Sequence, residues 1–422
     1  MPKISMTRMM EAFYALEKKG CLATLLGIGP MSKLVIEVTL QLAQERDFPV
    51  MFIASRNQID SEEFGRGYVC NWDQADFVRT VKDIADDIGF QGIYYICRDH
   101  GGPWQRDKER SNRLPVDEAM DVAKRSYLAD LKAGFDLLHI DPTKDPHAGA
   151  VVPMDVVLDR TVELIEYVEE ERKKLGLPEI AYEVGTEETN GGLTSEEAFG
   201  EFIQSLTQTL QKKALPLPLF IVGQTGTLTR LTKNVGRFNP LFAKKLSQLA
   251  KSHGMGIKEH NSDYLSDAIL LMHPWLGVTA ANVAPEYGVS ETAAYLSLAA
   301  IEKEYCDIGL ISSPSSFIKT LCDETVRSER WRKWLVGDDA AKTVEEILKN
   351  DELAELIMQI GGHYSFEAPA VKDELIKLFC NLASCGLDAR KVAFDTIKRA
   401  IGRYVDCFGL DGLTGKIRNE LH

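Results

Sequence analysis

Two histidines stand in this chain where a divalent metal could use them. Asp99-His100 closes one apolar run, and Glu259-His260 closes another much further along. Two imidazole nitrogens form a ligand pair that zinc accepts, and a catalytic ion also needs at least one further ligand and an open position. Glu183, near the end of a third run, can supply a carboxylate oxygen, and Gln224, closing a fourth, suits a neutral ligand. Asp99, Asp141 and Glu187 offer carboxylates for proton transfer. A carboxylate beside a cation stays ionised and acts as a base, whereas one pressed against an apolar wall is raised toward an acid. Glu188, before Thr189-Asn190-Gly191-Gly192, reads as solvated. His139, between Leu138 and Ile140 in strand alternation, is expected to be structural, since a half-buried histidine usually is. His147, His253, His273, His363 and His422 take no role from spacing alone.

These residues sit at the ends of eight apolar runs: Cys21–Gly29, Pro49–Gln58, Gln91–Gly102, Phe135–Thr143, Ile180–Glu188, Pro218–Thr227, Met255–Asp263 and Gly277–Tyr287. Between them lie stretches with apolar residues every three or four positions: Met31–Asp47, Trp72–Gly89, Val116–Ala133, Asp155–Leu175, Glu196–Lys213 and Phe242–Ser252, with an eighth helix over about Ser290–Glu304. Alternating strand and helix is the sequence form of a parallel sheet. Eight such units over roughly 250 to 300 residues match a (β/α)8 TIM barrel, whose active sites gather at the strand C-terminal ends. A doubly wound open sheet is the alternative. Against it, Gly27-Ile28-Gly29-Pro30 lacks the third glycine of a dinucleotide turn and puts proline where the helix would begin.

The barrel is expected over residues 1–306 and a helical C-terminal domain over residues 307–422, where helices are predicted at Ser316–Leu335, Thr343–Gln359, Ala370–Ser384 and Arg390–Phe408 with no convincing strand. Two loops stand out. Gly101–Arg113 is too polar for core and reads as a lid or a solvated connector. Asp60–Tyr68 follows Asn57-Gln58, a pair expected to contact substrate, and could close over a polyol or phosphate.

The chain of 422 residues carries a net charge of −14, which argues against a nucleic-acid partner, because such binding needs clustered basic residues to neutralise phosphates. The interrupted basic run Arg327–Lys333 reads as a helix face. No run of about 18 apolar residues could span a bilayer and no signal-peptide pattern begins the chain, so a cytoplasmic protein without a membrane partner is expected. The eight cysteines are scattered, with no C-x-x-C pair, and read as free thiols.

Taken together, Ile53-Ala54-Ser55-Arg56-Asn57-Gln58, Asp99-His100-Gly101, His139-Ile140-Asp141, Gly185-Thr186-Glu187, Gln224 and His260-Asn261-Ser262-Asp263-Tyr264 resemble the GatZ/KbaZ family, named for a subunit associated with class II tagatose-1,6-bisphosphate aldolases. The likeness covers nearly the whole chain, including Arg330-Trp331-Arg332-Lys333-Trp334-Leu335. Asp99-His100-Gly101-Gly102-Pro103-Trp104, His139-Ile140-Asp141-Pro142-Thr143 and Tyr182-Glu183-Val184-Gly185-Thr186-Glu187-Glu188 are similar to the branch that acts as a tagatose-6-phosphate/fructose-6-phosphate 4-epimerase. The resemblance to class II aldolases implies a proton-transferring Asp99, metal-binding His100 and His260, and substrate held near Asn282-Val283-Ala284. The sixth-strand histidine of that class is Gln224 here, which makes Glu183 the expected additional ligand. Its phosphate turn after the seventh strand is replaced by Asn261-Ser262-Asp263, so Ser262 and Asp263 stand as expected substrate contacts and the phosphate position stays open. The metal implied is zinc, with manganese, cobalt or nickel as alternatives. The partner implied is a small-molecule ketohexose phosphate, with self-association into a homo-oligomer left open.

Inverting C4 of a 2-ketose cannot proceed by simple deprotonation, because the C4 hydrogen, unlike that on C3, is not α to the carbonyl. Transient oxidation by a nicotinamide lacks its binding fingerprint here. Retro-aldol cleavage of C3–C4, rotation of the aldehyde and re-addition remain, which requires a base for the C4 hydroxyl and a Lewis acid at the C2 oxygen. The activity the resemblance implies, with this mechanism, is a metal-dependent 4-epimerase of D-tagatose 6-phosphate and D-fructose 6-phosphate. The rivals are a non-catalytic or accessory subunit of a class II tagatose-1,6-bisphosphate aldolase, and a true bisphosphate aldolase. A kinase is disfavoured because no Gly-x-x-x-x-Gly-Lys-Ser/Thr phosphate loop occurs.

Overall fold

In the computed structural model, residues 3–149, 151–186 and 195–421 are described. Each apolar run contributes one strand: β1 (Leu25–Ile28), β2 (Val50–Ser55), β3 (Tyr94–Gly101), β4 (Leu137–Ile140), β5 (Ala181–Val184), β6 (Phe220–Val222), β7 (Gly256–Glu259) and β8 (Ala280–Val283). All neighbours pair in parallel, and β8 returns to β1 through Leu25↔Ala280 and Ile28↔Val283, so the sheet closes into a barrel. Near-complete burial follows from the architecture: helices cover the outside and side chains fill the lumen, so both faces of each strand lose water. A two-residue hairpin, Thr229–Arg230 with Lys233–Asn234, decorates the turn after β6.

The outer helices begin where short polar residues cap them. Ser32, Asp73, Ser195 and Asn239 each accept the backbone N–H of the third residue onward, satisfying a donor the helix leaves open. A helix absent from the sequence-based expectation opens the chain. Met6–Lys18 buries Met6, Met9, Met10, Phe13 and Leu16, spaced as one helical stripe, and packs beside the terminal helix Leu413–Leu421.

The helix after β8 runs from Pro285 to Asp307 and ends one residue past the expected boundary. From there to the end the described residues hold helices and no strand. The first predicted helix is Phe317–Arg327 followed by the 3-10 turn Arg330–Lys333, and the second divides into Val344–Leu348 and Asp351–Gly361. The division falls at Asn350, whose side chain accepts the Leu353 N–H and starts a new helix. Pro369–Ser384 and Ala389–Cys407 match the last two expected helices closely. Their packing is divided. Ile397, Ile401, Tyr404 and Phe408 belong to the barrel's own core, whereas Phe317, Leu378 and Trp331 build two smaller clusters outside it. All eight cysteines are free thiols.

Candidate metal centre

Asp99 and His100 are consecutive on β3, and in a regular strand they would face opposite sides of the sheet. Here β3 pairs in register with β2 as far as Ser55↔Asp99, but its register with β4 slips between Arg98 and Gly101. His100 sits in the bulge with φ of +43°, which re-aims the strand end and lets both side chains reach one cluster. Gly102 completes the turn with φ of +124°, and a Cβ there would lie 2.6 Å from the Asp141 carbonyl oxygen, so only glycine fits.

Asp99, His100, His139 and His260 each offer a ligand atom within 4.8 Å of all the others. His100 Nε2 lies 3.2 Å from His260 Nδ1, and Asp99 Oδ1 lies 3.4 Å from the same His260 atom. His139 Nδ1 is 3.8 Å from Asp99 Oδ1 and accepts the backbone N–H of His100 at 3.0 Å. His139 Nε2 is buried with no hydrogen-bond partner among the described residues.

The far side of each ring decides what the near side can do. His100 Nδ1 contacts Asp141 Oδ2 at 2.7 Å, and His260 Nε2 contacts Glu183 Oε1 at 2.5 Å. A nitrogen facing a carboxylate carries the proton, so in the neutral rings the two facing nitrogens present lone pairs to each other. That arrangement needs a cation between them, either a proton or a metal. Bonds of about 2.1 Å at a tetrahedral angle would separate two nitrogens by about 3.4 Å, close to the observed spacing. Imidazoles oriented from behind by carboxylates are the usual outer support of a metal site. The residues present therefore fit a divalent ion.

With no metal bound, the surroundings move the two rings in opposite directions. Burial pushes the His100 pKa down, but Asp99 and Asp141 outweigh it and the net movement is upward. Burial also pushes His260 down, and there it prevails. Burial would raise the Asp99 carboxyl, yet His100, His260 and His139 hold it well below the usual range. Glu183 is held down to about 2, its burial offset first by Lys258 and then by the imidazoles.

Glu183 differs in place from the sequence-based expectation of a direct ligand. Its Oε1 faces His260 Nε2 and its Oε2 accepts Lys258 Nζ at 2.6 Å, so it stands behind His260. Asp141 similarly stands behind His100 and also accepts Thr143 Oγ1 at 2.5 Å. Asn282 Nδ2 donates to Asp99 Oδ1 at 3.2 Å from across the barrel. Asn57 ties the end of β2 to Gln105 and Asp107, while Gln58 turns back to the Ser55 N–H and Met31 Sδ. Ser262 donates to Glu259, and Asp263 accepts the backbone N–H groups of Ala284 and Glu286 at the start of the helix after β8. Gln224 is buried after β6. Glu187 and Glu188 lie outside the described residues.

Two site residues escaped the sequence reading. His139 was expected to be structural because it alternates with Leu138 and Ile140, but alternation in a closed barrel points a side chain into the lumen, where this cluster lies. Lys258 carried no signal beyond a lysine inside an apolar strand, Gly256–Glu259, where an unpaired charge would be prohibitive.

The loop Gly101–Arg113 also departs from expectation. Trp104 is fully buried, as nearly are Gln105 and Glu109, and Asp107–Ser111 forms a short helix. Polar residues are buried here because they satisfy one another: Arg56 pairs with Asp60 and Glu109 and donates to the Gly102 carbonyl, Arg106 lies 3.3 Å from Asp60, and Gln105 Nε2 donates to the Asp141 carbonyl. Beside them Arg98 pairs with Asp130, so the strand end bearing Asp99 is fixed by a buried ionic network.

A (β/α)8-barrel protein with a candidate metal centre at the C-terminal mouth of its strands is the class that fold and site define. The chain belongs to the family described as D-tagatose-1,6-bisphosphate aldolase subunit GatZ/KbaZ-like, which residues 10–388 match. No curated protein matches it. Among solved structures it is similar to a probable tagatose 6 phosphate kinase from Sinorhizobium meliloti, at 20% identity and a TM-score of 0.74 over 91% of this chain and 100% of that one. It also resembles a fructuronate-tagaturonate epimerase from Cohnella laeviribosi, at 12% identity and a TM-score of 0.51 over 92% of this chain and 81% of that one. A fructose-bisphosphate aldolase from Campylobacter jejuni aligns at 13% identity and a TM-score of 0.51 over 88% of this chain and 94% of that one. At these identities the three share the fold. No helix among the described residues is long and apolar enough to cross a membrane.

Proposed function

We propose that this protein is a cytoplasmic metal-dependent epimerase of ketohexose phosphates, interconverting D-tagatose 6-phosphate and D-fructose 6-phosphate by retro-aldol and aldol chemistry at C3–C4. The observation that carries the reading is the pair of imidazole nitrogens 3.2 Å apart, each ring backed by a carboxylate, with Asp99 beside them. His100 and His260 would hold the ion, with Asp99 or His139 completing its protein ligands. A bound divalent ion, zinc or else manganese, cobalt or nickel, supplies Lewis acidity toward the substrate oxygens.

The chain's own groups provide the rest. Asp99, ionised and steadied by Asn282, takes the C4 hydroxyl proton as the C3–C4 bond breaks and returns it when the bond re-forms. Glu183 and Asp141 keep both imidazoles in the tautomers that face the ion. Glu187, on the segment after β5, is assigned a second proton-transfer role. Asn57, Gln58, Ser262, Asp263 and Asn282, at or just past strand ends, are assigned to substrate binding, and Gln224, just after β6, to the surroundings of the ion.

Incubating the metal-loaded chain with D-fructose 6-phosphate and resolving the ketohexose phosphates tests the reading. D-tagatose 6-phosphate should form, and His100→Ala and His260→Ala should each abolish metal uptake and turnover while the fold survives. C4 hydrogen exchange with solvent, or free triose fragments released at the rate of turnover, would overturn the closed cycle. The family description itself favours one other reading, an accessory subunit of a bisphosphate aldolase, which predicts no turnover by the isolated chain.

A further inference from the structure

We propose that Arg330, supplied by the helical C-terminal region, is the seat for the phosphate group of the sugar phosphate; the inference rests on the reading of the barrel mouth as a ketohexose-phosphate site. Loops that follow barrel strands meet the C-terminal region there: the Tyr68 ring lies 4.4 Å from that of Tyr364, and Asp107 pairs with Lys333. Tyr68 follows β2, Asp107 follows β3 and Tyr264 follows β7. The 3-10 turn Arg330–Lys333 is anchored by the fully buried Trp331, whose Nε1 donates to the Val326 carbonyl at 2.7 Å. On the mouth side of that anchor, Lys333 Nζ lies 3.0 Å from Asp107 Oδ2. Arg330 lies over the rings of Tyr68 and Tyr364, 5.2 Å and 5.6 Å from their centroids.

The Arg330 guanidinium has no carboxylate within ion-pairing distance and no side-chain hydrogen bond among the described residues, although its neighbours Arg332 and Lys333 are both paired. Five N–H donors are thus held in place by stacking and left unspent. Polar atoms bordering the same aromatic cluster are also orphaned. Among the described residues, the Tyr264 hydroxyl and both ring nitrogens of His363 are buried without hydrogen-bond partners, and the His363 ring lies against Tyr364, tilted by 36°, with centroids 4.1 Å apart. An unpaired guanidinium over an aromatic pair whose neighbouring His363 is also unsatisfied lacks an acceptor-rich anion. A phosphate dianion, with its acceptor oxygens, supplies what these groups lack. The tie to the barrel mouth is geometric: Asp107, which pairs with Lys333, donates its backbone N–H to Asn57 Oδ1 at 3.2 Å, and Tyr68, which lies under Arg330, donates its own to the Asn57 carbonyl at 3.0 Å, so both are held to the end of β2.

Calorimetric titration of the full chain with D-fructose 6-phosphate and with D-fructose tests the proposal. Wild type should bind the phosphorylated sugar more tightly. Arg330→Gln should weaken that binding roughly tenfold or more, the worth of a hydrogen bond to a charged group, and leave D-fructose binding unchanged. Arg330→Lys, which keeps the charge but loses the fork, should fall between. Arg332→Gln removes the same charge nearby and should have little effect; an equal loss there would reduce the result to a general field and overturn the proposal. Unchanged binding in Arg330→Gln, or no preference of wild type for the phosphorylated sugar, also overturns it. Phosphate-dependent binding through Arg330 without any epimerisation would leave the seat standing and remove the assigned reaction. Epimerisation with an unchanged KM in Arg330→Gln would do the reverse.

Discussion

Lys258 Nζ lies 2.6 Å from Glu183 Oε2 with both side chains buried, and the other Glu183 oxygen faces His260. The pair makes Glu183 a fixed anion whose free edge is available only to the imidazole. Replacing Lys258 by methionine strands a buried carboxylate, which should cost about 3–5 kcal/mol in urea unfolding. Glu183→Gln should cost less stability but lower metal affinity roughly 10–100-fold, as loss of an outer partner does. The double variant should recover stability without recovering affinity. If Glu183→Gln eliminated metal binding as completely as His260→Ala, Glu183 would be a ligand instead.

A second prediction concerns a glycine far from the imidazoles in sequence. A Cβ on Gly27 would lie 2.1 Å from Asn282 Oδ1, the residue that donates to Asp99. Gly27→Ala should therefore push Asn282 aside and release Asp99, at a cost of about 1–3 kcal/mol in stability. The turnover number should fall as it does in Asn282→Ala, with metal still bound by the histidines. Full turnover in Gly27→Ala would remove Asn282 from the positioning of Asp99.

How much of this arrangement the sequence discloses depends on how local its cause is. Strands show in apolar runs, and polar residues at run ends mark the mouth, so Asp99, His100 and His260 could be placed together before their contacts were known. The bulge at His100 could not be read, because a positive φ at a non-glycine residue is imposed by the β4 pairing and not by neighbours in the chain. Lys258 and Glu183 are 75 residues apart, so each looks anomalous until the barrel closes. Helix Met6–Lys18 has a plain apolar stripe, but the helix it packs beside is Leu413–Leu421, at the other end of the chain. Charge misleads in the loop Gly101–Arg113, since its polar residues are buried by pairing with Arg56, Asp60 and Asp141.

Stability should also depend on pH through Asp263, whose carboxyl burial raises to about 8 despite the backbone N–H groups it accepts. The folded protein keeps this proton up to about pH 8, whereas the unfolded chain releases it near pH 4. Between those values unfolding releases a proton, so rising pH favours the unfolded chain, by up to about 1.4 kcal/mol per pH unit. Asp263→Asn can still accept both backbone N–H groups but cannot titrate. Urea midpoints measured from pH 4 to pH 8 should decline less steeply in the variant, and identical slopes would contradict the assignment. Glu291, raised by burial to about 7, should leave a residual decline in both proteins.

Metal and proton should compete for the gap between His100 Nε2 and His260 Nδ1. With Asp141 and Glu183 each engaging the outer nitrogen of its ring, a 3.2 Å separation is tenable only with a cation between the rings. Metal uptake should therefore expel about one proton near neutral pH, and affinity should weaken as the pH falls. Calorimetry of zinc binding in two buffers of different ionisation enthalpy reads that proton directly. Replacing Asp141 by asparagine relaxes the tautomer of His100 and should reduce both the affinity and its pH dependence. A binding enthalpy independent of buffer would mean that the rings face each other without a shared proton, and that the ion sits elsewhere in the mouth.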